Sequence, residues 1–413
     1  MNVLYIVGTN LTKNTSANMS HNAYLQGLIE NGFSVDVIME SDSWGEKDSS
    51  LKLYDKANYY EYNSVSISDK IRKRFSNASS KQVGANDTDR NNGTPNNSGS
   101  STKQSIRQFA KNFFYLIFKP DALYPLDKTW IKHASAFSTE KQYDLVVSNS
   151  SPAASHKLAD ILIKKKRIHT DRWIQIWEDP WYYDLYGGHT EEEKEEEHNL
   201  LKSASEVYYV SPLTLMYQKR YYSDCAEKMK CIPLPFLDFS NAKRQGNTVN
   251  DSFGYFGDYY LATRNLQPFY DALAKSGNRG YIYGDSDLVL KSTDKILVSG
   301  RVTLDILSKV QEKTDVLVHL SNLQGGQIPG KIYHYSATTK PILFILDGTK
   351  EEKKALLQFF GKFDRYYFCD NTIESISKAM ERIIEEKKSY EPVEAFSPKN
   401  VVERFLNKRA RIK

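Results

Sequence analysis

Cysteine is nearly missing: Cys225, Cys231 and Cys369 are the only three in 413 residues, and no two form a Cys-x-x-Cys pair. That count and spacing speak against a disulfide framework and a thiolate zinc site, and fit a reducing compartment. No run of 18 apolar residues occurs, which excludes a membrane-spanning helix. The opening MNVLYIVG has no basic segment, long apolar stretch or small-residue cleavage site, so it reads as a strand and not a signal peptide. Charge of one sign is scarce too, with 56 Lys and Arg against 51 Asp and Glu, a net +5. Such a small surplus argues against dedicated nucleic-acid binding but allows anionic substrates or lipid headgroups. The first loop lacks Gly-x-Gly-x-x-Gly, so the phosphate fingerprint of a nicotinamide site is absent. Residues 76–105 are almost free of large apolar side chains. They cannot offset their ordering entropy and read as a disordered surface insertion.

What is present describes an α/β protein. Hydrophobic residues at 40% and aromatic residues at 13% suit a folded, soluble chain, and its length suggests two domains. Val3 to Val7 is a short apolar run of the kind found in buried parallel strands. A polar loop from Gly8 to Ser20 follows, with Ser20 as N-cap of a helix through Leu28 and Ile29. Gly32 ends that helix, and Phe33 to Met39 is the next strand. This is the first turn of a doubly wound sheet. Asp144 to Ser148, Trp173 to Trp177 and Tyr208 to Val210 are further strands. After Ile232-Pro233-Leu234-Pro235 the pattern restarts, and FGYFG, YIYG, ILVSG, VLVHL and ILFIL describe a second parallel sheet. The division expected is 1–215, 216–395 and a closing segment 396–413, in which Ser397 caps a helix with proline at its first position. Ile106 to Phe118 mixes Arg107 and Lys111 with five aromatics; it reads either as an interfacial helix or as a helix packed on the sheet. EEEKEEEH at 191–198 reads as a solvated helix face.

The segment QIPGKIYHYSATTKPILFIL, residues 327–346, carries the most chemistry. A helix opening on Gly330 presents free backbone N–H groups and a positive dipole end, and Lys331 adds a cation. It reads as a phosphate site or as an ordinary loop, helix and strand of an α/β domain. Pro329, Gly330, Lys331, Tyr333, Tyr335, Ala337, Lys340 and Pro341 give it a resemblance to the donor-binding element of GT-B glycosyltransferases, particularly the bacterial group that builds surface polysaccharides. His334 stands where that group has a ribose-binding glutamate, and Thr339 where it has glycine.

The resemblance implies two Rossmann-like domains facing a central cleft. The C-terminal domain would bind a nucleoside-diphosphate sugar, and the N-terminal domain a saccharide or lipid-linked saccharide. On the donor side it places Gly257, Asp258 and Arg264 in a first loop, Gly284 and Arg301 at the next two strand ends, then His319. Gln327, Ile328, Pro329, Gly330, Lys331 and His334 complete that side. An arginine forks two phosphate oxygens more specifically than a lysine does. His319 reads either as facing the cleft or as a satisfied core histidine. On the acceptor side SNSSPAASH (148–156) and WEDPW (177–181) resemble family turns, with Glu178 replacing an arginine. Thr9, Asn10, Ser151, Asp179 and Trp181 are the acceptor-side candidates. Asp179 either orients or deprotonates an acceptor hydroxyl or caps the turn before Pro180. Asp179, Arg264 and Lys331 are the expected catalytic groups. A cationic clamp would replace divalent metal, so neither metal nor other cofactor is expected, and nucleic acid is not an expected partner. Expected location is the cytoplasm at the inner face of the membrane, touched through residues 106–118. The alternatives are a GT-B sugar-nucleotide 2-epimerase and a non-catalytic nucleotide-binding subunit of a transferase.

Overall fold

The computed structural model describes residues 1–41 except 14, 51–64 except 52, 123–185 except 126, 189–237 and 251–406. The expected insertion at 76–105 and the aromatic stretch at 106–118 lie outside the described residues. Chain order begins β1 (Asn2–Val7), α1 (Ser16–Glu30), β2 (Ser34–Glu40), β3 (Ala57–Tyr62), α2 (Lys128–Ala134) and β4 (Gln142–Tyr143). It continues through β5 (Leu145–Asn149), α3 (Ala154–Lys164), β6 (His169–Thr170), β7 (Trp173–Trp177), α4 (Glu191–Ser203), β8 (Glu206–Tyr209), α5 (Pro212–Tyr221) and β9 (Met229–Cys231). Seven of these strands form a parallel sheet in the order β3-β2-β1-β5-β7-β8-β9, while β4 and β6 pair separately. Every residue of β5 and β7 is buried, as expected of strands covered on both faces.

The second sheet comes from β10 (Ser252–Phe256), α6 (Gln267–Ser276), β11 (Arg279–Tyr283), β12 (Ile296–Ser299), α7 (Leu304–Lys313) and β13 (Val316–Leu320). Then follow α8 (Lys331–Tyr335), β14 (Ile342–Leu346), α9 (Lys350–Phe360), β15 (Tyr366–Asp370), α10 (Ile373–Glu386) and α11 (Pro398–Leu406). Its six strands are parallel in the order β12-β11-β10-β13-β14-β15. In both sheets the first strand lies inside and the order reverses beside it. Such a switch point opens a crevice at the strands' C-terminal ends.

Three local expectations are corrected. The first helix begins at Ser16, not after Ser20: Thr15 is extended and its side chain accepts from Asn18 N–H, while the Ser20 hydroxyl bonds back to Ser16 O. The first sheet does not close at residue 215, because β9 pairs with β8, so the changeover falls between Cys231 and Ser252. The 191–198 run is solvated only in part, since Glu197 is completely buried. The edge strands β3 and β15 were not legible as apolar runs because burial alternates along them.

One apolar core runs through both sheets' inner layers, joining Tyr24 and Leu28 of α1 to Ile332, Tyr333 and Phe344 of the second half. Tyr333 donates to Val210 O at 2.7 Å, and Tyr24 to Pro233 O at 3.4 Å. The chain then crosses back, and α11 packs on α1. Gly27 makes this possible, because a Cβ there would lie 2.2 Å from Pro398 O. Asn31 Nδ2 also donates to Lys399 O at 3.1 Å.

Helix α4 starts with a reciprocal cap: Thr190 Oγ1 accepts from Glu193 N–H, and Glu193 accepts from Thr190 N–H. Thr190→Ala is expected to cost about 1 kcal/mol, which in a chain of this length lowers the melting temperature by roughly 1 °C in thermal unfolding.

Candidate functional site

The two sheets' C-terminal ends meet around a cavity of about 610 Å³. Gly257 follows β10 and Gly284 follows β11, while Glu178 and Asp179 follow β7. Gly284 has to be glycine, because a Cβ there would lie 1.9 Å from Gly257 O. All the donor-side residues expected from the sequence border this cavity, as does Asp179. Thr9, Asn10, Ser151 and Trp181 do not border it. Thr9 and Asn10 instead hold the β1–α1 loop, through Asn18, Thr12 and Ser41 O, and Trp181 packs on Tyr124.

Cations converge on the second-domain wall. Lys331 Nζ donates to Phe256 O at the end of β10. Burial, then repulsion from Arg264 and Arg301 against the pull of Asp258, brings its ammonium down to about 8. Arg264 also bonds the Tyr255 hydroxyl, whose proton burial holds more tightly, at about 12. Arg301 forks Asp258, and this pairing keeps the Asp258 carboxyl below its usual range. Helix α8 contributes less than the sequence suggested. It has five residues, and the Ile332 and Tyr333 N–H groups close onto Pro329 and Gly330 carbonyls. Its dipole is correspondingly short, so the side chains of Arg264 and Lys331 carry the positive field.

Two neutral imidazoles flank these cations. Burial, reinforced by Arg264, brings His319 down to about 3; burial and Lys331 bring His334 down to about 4. His319 Nε2 and His334 Nδ1 have no hydrogen-bond partner among the described residues. Each can therefore serve a ligand hydroxyl or N–H.

The first-domain wall is acidic. Burial, then Asp184 against the hydrogen bond from Gln327, pushes Asp179 up to about 6. Burial and the Asp179 charge raise Glu178 well above the ordinary carboxylate range. Gln327 ties the walls together: its Nε2 donates to Asp179 and to Asp184 (3.2 Å), and its Oε1 accepts from Leu185 N–H (3.0 Å). The next carbonyl, Gly326 O, accepts from Thr214 Oγ1 at 3.0 Å and Ser211 Oγ at 3.3 Å. Gln327 thus borders the cavity with its amide engaged by the opposite domain.

Glu178, Asp184 and Tyr255 were not singled out from the sequence as site residues, although each borders the cavity. Two were legible in principle, since Glu178 adjoins Asp179 and Tyr255 sits within FGYFG. An Asp-x-Asp triplet, Asp285-Ser286-Asp287, also follows β11. Its carboxylates accept from Arg301 and from Leu261 N–H. Away from the cavity, His198, Asp224 and Cys225 place ligand-type atoms within 4.8 Å of one another, with His198 already bonded to Asp224. Among the described residues no helix is long and apolar enough to cross a membrane.

No family model and no curated protein matches the chain. Solved structures do. The catalytic domain of starch synthase IV from Arabidopsis thaliana, bound to ADP and acarbose, aligns over 97% of this chain and 94% of its own at 9% identity, with a TM-score of 0.54. HepE from Anabaena, in complex with UDP and glucose, aligns over 98% and 94% at 13% identity and a TM-score of 0.51. A glycosyltransferase from Rickettsia africae ESF-5 aligns over 98% and 96%, also at 13% identity and 0.51. Together with the sheet topology, these likenesses show that the chain has the GT-B fold: two Rossmann-like domains facing a cleft.

Proposed function

We propose that the protein is a glycosyltransferase that moves a sugar from a nucleoside-diphosphate donor to a saccharide or lipid-linked saccharide, with no metal ion in the reaction. The observation that carries this reading is the convergence of Arg264, Lys331 and Arg301 on one wall of an interdomain cavity. Arg264 and Arg301 lower the proton affinity of Lys331, an arrangement that a bound polyanion would relieve, and a diphosphate has the right charge and reach. When the bond to the sugar breaks, negative charge grows on the departing nucleoside diphosphate. Arg264 and Lys331 would stabilise that charge in a partly dehydrated site, the largest electrostatic task of the reaction. His334 would take the place of the ribose-binding glutamate, and Asp179 would orient the acceptor hydroxyl. UDP in the Anabaena structure and ADP in the Arabidopsis structure suggest the first donors to try. Where the acceptor is lipid-linked, residues 106–118 would meet the inner face of the bacterial membrane during polysaccharide synthesis.

The test is incubation with UDP-glucose, UDP-galactose, UDP-N-acetylglucosamine, ADP-glucose, GDP-mannose and dTDP-rhamnose, with calorimetry on UDP and ADP. Release of nucleoside diphosphate from one donor is the expected result. An isomerised donor would make the protein an epimerase, and binding without turnover a non-catalytic subunit.

A further inference from the structure

We propose that His198, Asp224 and Cys225 bind a zinc ion on the flank of the first domain, away from the cavity. Among the described residues these three form the one cluster of ligand-type side chains. Its imidazole nitrogen, carboxylate oxygen and thiol sulfur all lie within 4.8 Å of one another. None of the three borders the cavity, so the ion has no part in the transfer proposed above, and the site stands or falls independently of that reading.

The spacing along the chain conceals such a site. Asp224 lies 26 residues beyond His198, so no Cys-x-x-Cys or paired-histidine pattern announces it. Folding closes the gap. Lys228 Nζ donates to Lys202 O and Ala204 O, both at 2.8 Å, and pins the 3-10 turn Ser223–Lys228 to the end of α4. Cys225 N–H donates to Tyr222 O at 3.0 Å, and the Tyr222 ring packs on the His198 ring with centroids 5.1 Å apart. Both elements are held in place before any ion arrives.

The geometry is close to what zinc needs. Zn–N and Zn–O bonds of about 2.0–2.2 Å and a Zn–S bond of about 2.3 Å set tetrahedral ligand separations of roughly 3.3–3.6 Å. His198 Nε2 already lies 2.9 Å from Asp224 Oδ1 and 3.0 Å from Oδ2. The sulfur has at most about 1.5 Å to close, a side-chain adjustment. Imidazole with thiolate selects zinc, whereas magnesium and calcium take oxygen ligands. Side-chain exposure of 30% at His198 and 52% at Asp224 leaves one side open, where water supplies the fourth ligand. Cys225, buried, closes the other. Binding releases the thiol proton to solvent and leaves a thiolate on the metal. One cation competes, because Lys202 Nζ stands 3.5 Å from Asp224 Oδ2 and has to swing aside. A filled site braces α4 against the turn beside it, where the Tyr222 hydroxyl donates to Glu197 at 3.1 Å.

The experiment uses the full chain without a histidine tag, stripped of metal by a chelator. Calorimetry with zinc should show one saturable site, and zinc should raise the melting temperature. Cobalt(II) should give a thiolate-to-cobalt charge-transfer band, which Cys225→Ser abolishes. Cys225→Ser and His198→Ala should each weaken zinc binding roughly a hundredfold or more, since losing a ligand costs more than losing a group behind one. Cys369→Ser, which removes a thiol elsewhere, should change neither readout. Lys202→Ala should bind zinc more tightly than the wild type, a gain that a plain surface ion pair would not produce. Should Cys225→Ser fold poorly, His198→Ala and Lys202→Ala, at partly exposed positions, still decide the matter. No saturable zinc binding by the wild type, a charge-transfer band that survives Cys225→Ser, or a His198→Ala protein that titrates like the wild type overturns the site.

Discussion

Arg264→Ala and Lys331→Ala are each expected to weaken UDP and ADP binding ten- to a hundredfold in titration calorimetry. A charge-assisted hydrogen bond to phosphate is worth about 1.5–3 kcal/mol, and each 1.4 kcal/mol is a factor of ten. The two residues should differ in their pH dependence. Lys331 is held down to about 8, chiefly by burial and then by its cationic neighbours. Wild-type affinity should therefore fall as pH rises from 7 to 9, because the ammonium is being lost. Near pH 8 binding should take up a fraction of a proton, seen as a buffer-dependent enthalpy, because a bound diphosphate restores the charge. Lys331→Ala should abolish this slope. Arg264→Ala should move it to higher pH, since Arg264 is one of the charges that depress Lys331. Equal affinity in wild type and both variants would remove the diphosphate from this wall.

The second-domain wall of the cavity was legible from the sequence because its elements are local. Gly257 through Arg264 form one loop and Gln327 through His334 another, each following a short apolar strand with its residues close together in the chain. The first-domain wall was less so. Asp179 could be singled out from WEDPW, but its partner Gln327 lies 148 residues away, and no periodicity reveals a hydrogen bond across two domains. Thr9 and Asn10 show the converse: polar residues after a first strand look like ligand contacts, and here they hold their own loop together. Lys331 does border the cavity, but the sequence reading gave too much credit to its helix, since sequence does not show that α8 would stop after five residues.

The acidic run at 191–198 shows most plainly what pattern alone conceals, and it yields the second large effect: Glu197→Ala is expected to destabilise the protein by about 3–5 kcal/mol. Read as a string, EEEKEEEH is a solvated helix face, and for Glu191 and Glu192 that holds. Glu197 faces the other way and is completely buried. Its Oε2 accepts from Tyr182 N–H at 2.8 Å and from Tyr222 OH at 3.1 Å, and its Oε1 from Trp181 N–H at 3.2 Å. Alanine would strand two backbone N–H groups and a phenol away from water, each at the price of an unmade hydrogen bond. Glutamine would rescue only part of this, because donors approach both oxygens and an amide accepts on one. The consequence reaches the cavity. Trp181 and Tyr182 lie between Asp179 and Asp184, so the carboxyl that anchors them also sets the loop that grips Gln327. Urea unfolding should rank Glu197→Ala below Glu197→Gln, and both below the wild type, with exposed Glu192→Ala within about 0.5 kcal/mol of it. In nucleotide titrations the Glu197 variants should bind UDP and ADP, since neither trunk of the cation clamp is touched. Their kcat should fall with the loosened carboxyl wall. A Glu197→Ala protein as stable as Glu192→Ala would mean that the loop is held by its aromatic packing and that the buried carboxyl anchors nothing.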